Sequence, residues 1–232
     1  MQILPTAPQP DFDLYVIRQG VWFAGRGNND KLEDVYAAGY APYSGTVGLH
    51  NVFYNARNAR VVLPEFALTS ENRRIAKKFD GQFTKVRTPI SDFVPDEEFY
   101  AFVLAYFAGR LGPRVMPRER LELLFASGLI STIVHYKREG KTAGYVFEVE
   151  DGTMRHYWYS AYDLTLARQS LGLWLMLDCI RDAKESGFRY YYLGTVYGEK
   201  ALYKTNFAPL QWWDGKEWNS DVQLLKERGR SD

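Results

Sequence analysis

The sequence predicts a mixed α/β (α+β) fold, with a mixed central sheet preceded by a small α+β region. Three features of the 232-residue chain carry this expectation. First, LISTIVHYKREGKTAGYVFEVEDGTMRHYWYSAYD (129–163) holds three strand-like runs separated by Glu139-Gly140-Lys141 and Glu150-Asp151-Gly152, both glycine-bearing turn signals. That pattern reads as an antiparallel meander. Second, ARQSLGLWLMLDCIRDAKESGF (167–188) sets Leu171, Leu175, Cys179 and Ala183 at spacing four, while Asp182, Lys184 and Glu185 lie elsewhere on the surface. This is a long helix, ended by Gly187. Third, FRYYYLG (188–194) follows at once as a strand.

Taken in order, residues 1–11 hold three prolines and read as an extended arm, and DLYVIRQ (13–19) as a first strand. NNDKLEDVYAAGY predicts a short helix with Asp30 as N-cap, Leu32, Val35 and Tyr36 on one face, and Gly39 after the last turn. HNVFYN and ARVVLP read as strands. TSENRRIAKKF predicts a helix capped by Thr69 or Ser70, its charge mostly on one side. From about residue 82 the pattern changes to an alternating strand, QFTKVRTPI, then two helices, PDEEFYAFVLAYFAGR and PRERLELLFASG. Each has proline near its first turn and glycine at or after its end. Past the meander, long helix and tyrosine strand come a short helix and a final hairpin, PLQWWDGKEW. The expected division is residues 1–80 as the small N-terminal region and 81–232 as the catalytic domain.

Composition narrows the function classes. At 46% hydrophobic and 16% aromatic the chain is far from a disordered composition, and the aromatic share supplies either core bulk or stacking platforms. A net charge of +1 gives no global field for nucleic acid, so attraction must come from local patches. One cysteine, Cys179, excludes an internal disulfide and a cysteine-rich zinc or iron–sulfur site. The first residues lack the pattern of a signal peptide, and no apolar run approaches the ~20 residues that span a bilayer, so a cytoplasmic protein without membrane association is expected. His50, His135 and His156 are scattered and receive no role; no metal and no cofactor is expected.

The turn LARQSLGLW (166–174) puts a glycine at a helix start, where unpaired N–H groups and the helix dipole suit phosphate. The order meander, glycine turn, helix, strand resembles the GNAT acyltransferase fold, and Gln169 and Gly172 match its pyrophosphate loop. Trp174 stands where that loop has a small residue, and its indole is expected to hinder a coenzyme.

A longer resemblance covers residues 159–209. Tyr162-Asp163, then Ser170-Leu171-Gly172, then Tyr190, Tyr192, Leu193 and Gly194, then Lys200, Tyr203 and Lys204, then Phe207 and Pro209 are similar to the C-terminal domain of arginyl-tRNA--protein transferases. Ala201 replaces a methionine there, and the family's N-terminal cysteine cluster is missing. LEDVYAAGYAPY and ARNARVVLPEFALTSENRRIAKKF resemble leucyl/phenylalanyl-tRNA--protein transferases, with Asn58 in place of a proline. Their D-x-Q element is absent: here the strand ends Leu193, Gly194, Thr195.

The resemblance implies transfer of an aminoacyl group from a charged tRNA to a protein's N-terminal amine, marking it for degradation. The ester is already activated, so no covalent nucleophile is required; the amine must be positioned and deprotonated, and the oxyanion stabilised. It implies an aminoacyl-tRNA site with Arg168, Gln169, Ser170 and Gly172 on the terminal phosphate and Lys200 and Lys204 on the acceptor strand. Tyr192 or Tyr203 would stack a base, beside Gly194. Arg73 and Arg74, within a cationic stretch that also holds Arg57, Arg60, Lys77 and Lys78, would meet the acceptor stem, or form an ordinary solvated face. Asp163 is the candidate general base, a turn cap its alternative, and Glu148 the fallback. An acyl-CoA-dependent N-acyltransferase and a non-catalytic RNA-binding adaptor are the competing functions.

Overall fold

The computed structural model describes residues 1–4, 22–45 and 51–232. The expected strand at 13–19, most of the N-terminal arm, and His50 lie outside the described residues. In chain order the elements are β1 (Gln2–Ile3), β2 (Trp22–Gly25), α1 (Leu32–Ala37), β3 (Tyr40–Pro42), β4 (Val52–Asn55), β5 (Asn58–Val62), α2 (Ser70–Phe79) and β6 (Thr84–Pro89). Then come α3 (Glu97–Leu111), α4 (Arg118–Ala126), β7 (Thr132–Arg138), β8 (Lys141–Asp151) and β9 (Met154–Tyr162). The chain continues with α5 (Leu171–Glu185), β10 (Tyr190–Thr195), β11 (Leu210–Trp213), β12 (Trp218–Asn219) and α6 (Val222–Ser231). Single 3-10 segments precede α5 (Leu164–Gln169) and follow β10 (Glu199–Asn206).

Local chemistry explains most boundaries. In α1, Leu32, Val35 and Tyr36 are buried as their spacing requires. Its N-cap is Lys31, without a side-chain cap; Asp30 instead accepts a hydrogen bond from Gly27 N at 2.8 Å, closing the turn before the helix. Asp96 caps α3 through Phe99 N at 2.8 Å, and Pro117 sits at the N-cap of α4. The helix α6, unexpected from the sequence, begins at Asp221, whose carboxylate accepts from Leu224 N at 2.9 Å.

The chain forms two compact units that interleave along the sequence rather than follow one another. One comprises residues 1–69, 151–156 and 183–232, the other 70–150 and 157–182. The first holds an antiparallel sheet ordered β1-β2-β4-β3 and the strand run β12-β11-β5-β10-β9. In that run β5 pairs antiparallel with β10, Tyr192 opposite Arg60, and with β11, Leu210 opposite Val61. β10 runs parallel to β9 from Tyr190 opposite Met154 to Tyr192 opposite His156, which makes the sheet mixed. Its core holds the fully buried Tyr191, Phe207 and Trp212; burying a side chain of Phe207's size contributes roughly 1.5–3 kcal/mol.

The second unit contains the β9-β8-β7-β6 run of the meander, with β6 antiparallel to β7 and β7 antiparallel to β8. Phe99, Val103 and Phe107 of α3 and Leu121 and Leu124 of α4 pack on Ile133, Tyr145 and Phe147. No helix among the described residues is long and apolar enough to cross a membrane.

Candidate active site at the end of β10

Strand alternation gives β10 two faces. Tyr191 is fully buried on one; Tyr190 and Tyr192 share the other, where they meet a buried arginine. The Arg60 guanidinium lies 3.8 Å from the Tyr190 ring centre and 4.0 Å from that of Trp218. Its Nε donates to Gln211 Oε1 at 2.9 Å and its Nη1 to the Tyr192 hydroxyl at 3.1 Å. Arg60, read from sequence as part of a surface patch, is 6% exposed. Aromatic faces and neutral oxygens satisfy it, and among the described residues it has no carboxylate partner. Tyr192 packs edge-on against Tyr36 and Trp218, and burial raises its pKa.

After Tyr192 the pairing with β5 skips a residue, a bulge that re-aims the strand end. Gly194 there has φ +77°, a conformation glycine alone adopts without strain. Where a Cβ would stand, His156 Nε2 and Lys204 Nζ each lie 3.7 Å away. Lys204 Nζ donates to Thr195 O at 2.6 Å, and burial lowers its pKa to about 8. His156 is buried with Nδ1 2.8 Å from the Tyr36 hydroxyl; burial, then the Lys204 charge, lower its pKa to about 3, so the imidazole is neutral. Tyr203 and Lys200 are exposed. At the start of β10, a cavity of about 350 Å³ is lined by Tyr190, Gln211, Arg189, Glu65 and Pro209 among others.

The remaining expected site residues belong to the second unit. Asp163 caps the 3-10 segment, its Oδ1 accepting from Thr165 N at 2.8 Å and Thr165 Oγ1 at 2.7 Å. Arg168 is exposed, Gln169 closes the segment, and Ser170 is left-handed (φ +74°), its carbonyl accepting from Leu173 and Trp174 N at 3.1 Å. Against Gly172 lies the Tyr162 ring, which a Cβ would meet at 2.7 Å, so a larger residue there disturbs packing whatever binds the turn. Trp174 is turned into the core against Phe79 and Phe83, its Nε1 donating to Asp80 at 2.8 Å; the expected steric bar to a coenzyme does not arise from its indole.

Glu148, fully buried, is 2.7 Å from Arg87, which also reaches Glu150 at 2.8 Å and Asp182 at 3.3 Å. On α2, Arg73 is exposed and Arg74 pairs with Glu71 at 2.6 Å. The Cys179 thiol is buried beside the Tyr136 hydroxyl at 3.3 Å, and burial pushes its pKa well up, so it is no thiolate nucleophile.

The structure thus brings Tyr192, Gly194 and Lys204 together and adds Tyr36 and His156, which sequence reasoning gave no site role, and Arg60, which it placed in the cationic stretch facing the acceptor stem. His156 joins Tyr192 only through the parallel pairing of β9 with β10, for which a sequence carries no direct signal.

Among known proteins, an aspartate/glutamate leucyltransferase of Cereibacter sphaeroides is 28% identical over 184 residues, 74% of this chain and 64% of the relative. The chain therefore spans about two thirds of that relative's length. One from Dinoroseobacter shibae is 44% identical over 62 residues, 26% of this chain and 22% of the relative. Of solved structures, the C-terminal domain of a putative lysylphosphatidylglycerol synthetase from Agrobacterium fabrum aligns with a TM-score of 0.47 at 14% identity, over 65% of this chain and 50% of that one. Residues 73–205, more than half of the chain, match the family described as the acetyltransferase (GNAT) domain, and with the mixed sheet, meander and glycine-turn helix in place, the chain belongs to the GNAT acetyltransferase-domain family.

Proposed function

We propose that the chain is an aminoacyl-tRNA--protein transferase, moving an amino acid from a charged tRNA onto the N-terminal amine of a protein and so tagging it for degradation in the cytoplasm. The relatives' name points to leucine as the transferred residue and to aspartate or glutamate as the accepting one. The observation that carries the reading is the end of β10, where Tyr192, Gly194 and Lys204, residues of the arginyl-transferase-like segment, stand side by side. Lys204 and Arg60 are cations without carboxylate partners among the described residues, set among aromatic rings. Such surroundings suit the flat, anionic 3′ end of an RNA.

The chemistry needs little more. A neutral acceptor amine attacks the ester carbonyl carbon, the oxygen takes up negative charge, and the ribose hydroxyl leaves with the proton that the amine gives up. Arg168, Gln169, Ser170 and Gly172 would hold the terminal phosphate, Lys200 and Tyr203 the adjoining nucleotides, and Arg73 and Arg74 the stem. With Asp163 serving as a cap and Glu148 held by Arg87, the amine has no obvious carboxylate base in either; an α-amine of pKa about 7.7–8.0 is partly neutral at cellular pH without one.

A second reading has a specific observation in its favour: Trp174 faces the core, which leaves acyl-CoA as an alternative donor. Thermal shift and label transfer separate the two. Charged leucyl-tRNA should raise Tm and label peptides that begin with Asp or Glu. Stabilisation and transfer with acetyl-CoA alone would reverse the assignment, and tRNA binding without any transfer would reduce the protein to an adaptor.

A further inference from the structure

We infer that the space over Gly194 is an oxygen-binding site, in which the Nε2–H of His156 and the ammonium of Lys204 receive the carbonyl oxygen of the transferred acyl group as it becomes negatively charged. The inference rests on the transferase reading above. It starts from what surrounds the glycine: apart from its chain neighbours Leu193 and Thr195, the atoms within 4 Å of the Cβ position are His156 Nε2 and Lys204 Nζ, both at 3.7 Å. Both nitrogens thus border one position that a ligand oxygen can approach. The positive φ keeps a side chain from occupying that space without strain.

Both nitrogens are donors. Tyr36 is fully buried, and the partner of its hydroxyl is His156 Nδ1 at 2.8 Å. A buried O–H left without an acceptor is costly, so the phenol donates to Nδ1, and the neutral imidazole carries its one proton on Nε2. His156, 3% exposed, spends Nδ1 on this bond and turns Nε2 toward Gly194. Lys204 gives one N–H to Thr195 O and has two more, with no ion-paired carboxylate to claim them. Two donors, one of them cationic and with N–H groups to spare, thus border the position over Gly194.

Charge and protons balance in the step. The amine nitrogen bonds to the carbonyl carbon while the C=O π pair moves to the oxygen held here. When that pair returns, the C–O bond to the ribose breaks, and the departing oxygen takes the proton released by the nitrogen. His156 and Lys204 keep theirs throughout, as fixed donors do.

Steady-state transfer from charged tRNA to a peptide tests this with two variants. His156→Phe keeps the ring and removes the N–H; Gly194→Ala fills the gap with a methyl. In each, kcat should fall about 10²–10³-fold while KM for charged tRNA changes less than about threefold, the mark of an interaction made in the transition state. Far-ultraviolet circular dichroism reports whether each variant folds. The imidazole 15N signals of the wild-type protein should be those of the neutral Nε2–H form, which requires no activity at all. An Nδ1–H tautomer, or unchanged kcat in either folded variant of a protein that does transfer, overturns the oxygen site alone. No transfer by the wild-type protein from any charged tRNA overturns the transferase reading, and this site with it.

Discussion

The two compact units hold cations by opposite means. In the second, Lys85 and Arg87 sit among four carboxylates: Lys85 meets Asp178 at 2.8 Å and Asp182 at 3.2 Å, and Arg87 meets Glu148, Glu150 and Asp182. In the first, Arg60 is held by two ring faces, an amide and a phenol, and Lys204 by a backbone carbonyl. The difference matters for ligands. A cation paired with carboxylates is neutralised and has nothing to offer an anion, whereas one held by quadrupoles and neutral oxygens keeps its charge.

Breaking the carboxylate network should have the largest effect. Arg87→Met removes the guanidinium 2.7 Å from the fully buried Glu148 carboxylate and should lower stability by about 3–5 kcal/mol in denaturant unfolding. Arg60→Lys keeps the charge but cannot cover both rings or reach Gln211 and Tyr192 in one plane; a loss of about 1–2 kcal/mol is expected from the same measurement. Equal losses in the two variants would erase the contrast.

Lys204 sharpens it through pH. With a pKa of about 8, the donor loses its proton as pH rises through that value, so kcat should fall about tenfold by about pH 9. Lys204→Arg stays charged and should move that alkaline limb upward; an unmoved limb assigns it to another group. Cys179→Ala, in the carboxylate-rich unit, should change transfer by less than about twofold, since a buried thiol with a raised pKa takes no part in direct aminolysis.

Much of the fold was legible because it is locally encoded. The meander appears as β7, β8 and β9 with glycine turns at Gly140 and Gly152, and the caps of α3 and the stop at Gly187 follow from single residues. The helix α6 carried a readable signal, an Asp221 cap before Leu224 and Leu225, that the tryptophan hairpin beside it overshadowed. What short-range pattern could not give is pairing. The strand β5, drawn from the N-terminal third, inserts between β10 and β11, and that insertion alone carries Arg60 from an imagined surface patch into the aromatic face. The same limit hid His156 and Tyr36, because a histidine on one strand and a tyrosine on a distant helix look unrelated until the folded chain brings the phenol to the imidazole. The motif order of their segment pointed to Tyr192, Gly194 and Lys204 as candidates, although its spacing could not show the lysine folding back onto Thr195.

That insertion also sets a timetable for synthesis. Arg60 and Tyr192 are 132 positions apart, so at ~5–20 residues per second the ribosome makes β5 roughly 7–26 seconds before its partner exists. Throughout that interval a strand with Ala59 and Val61 destined for the interior has both edges open. A nascent chain built this way depends on holding its early strand out of intermolecular pairing until translation is nearly done, and its yield should respond more to chaperone supply and elongation speed than its modest size would suggest.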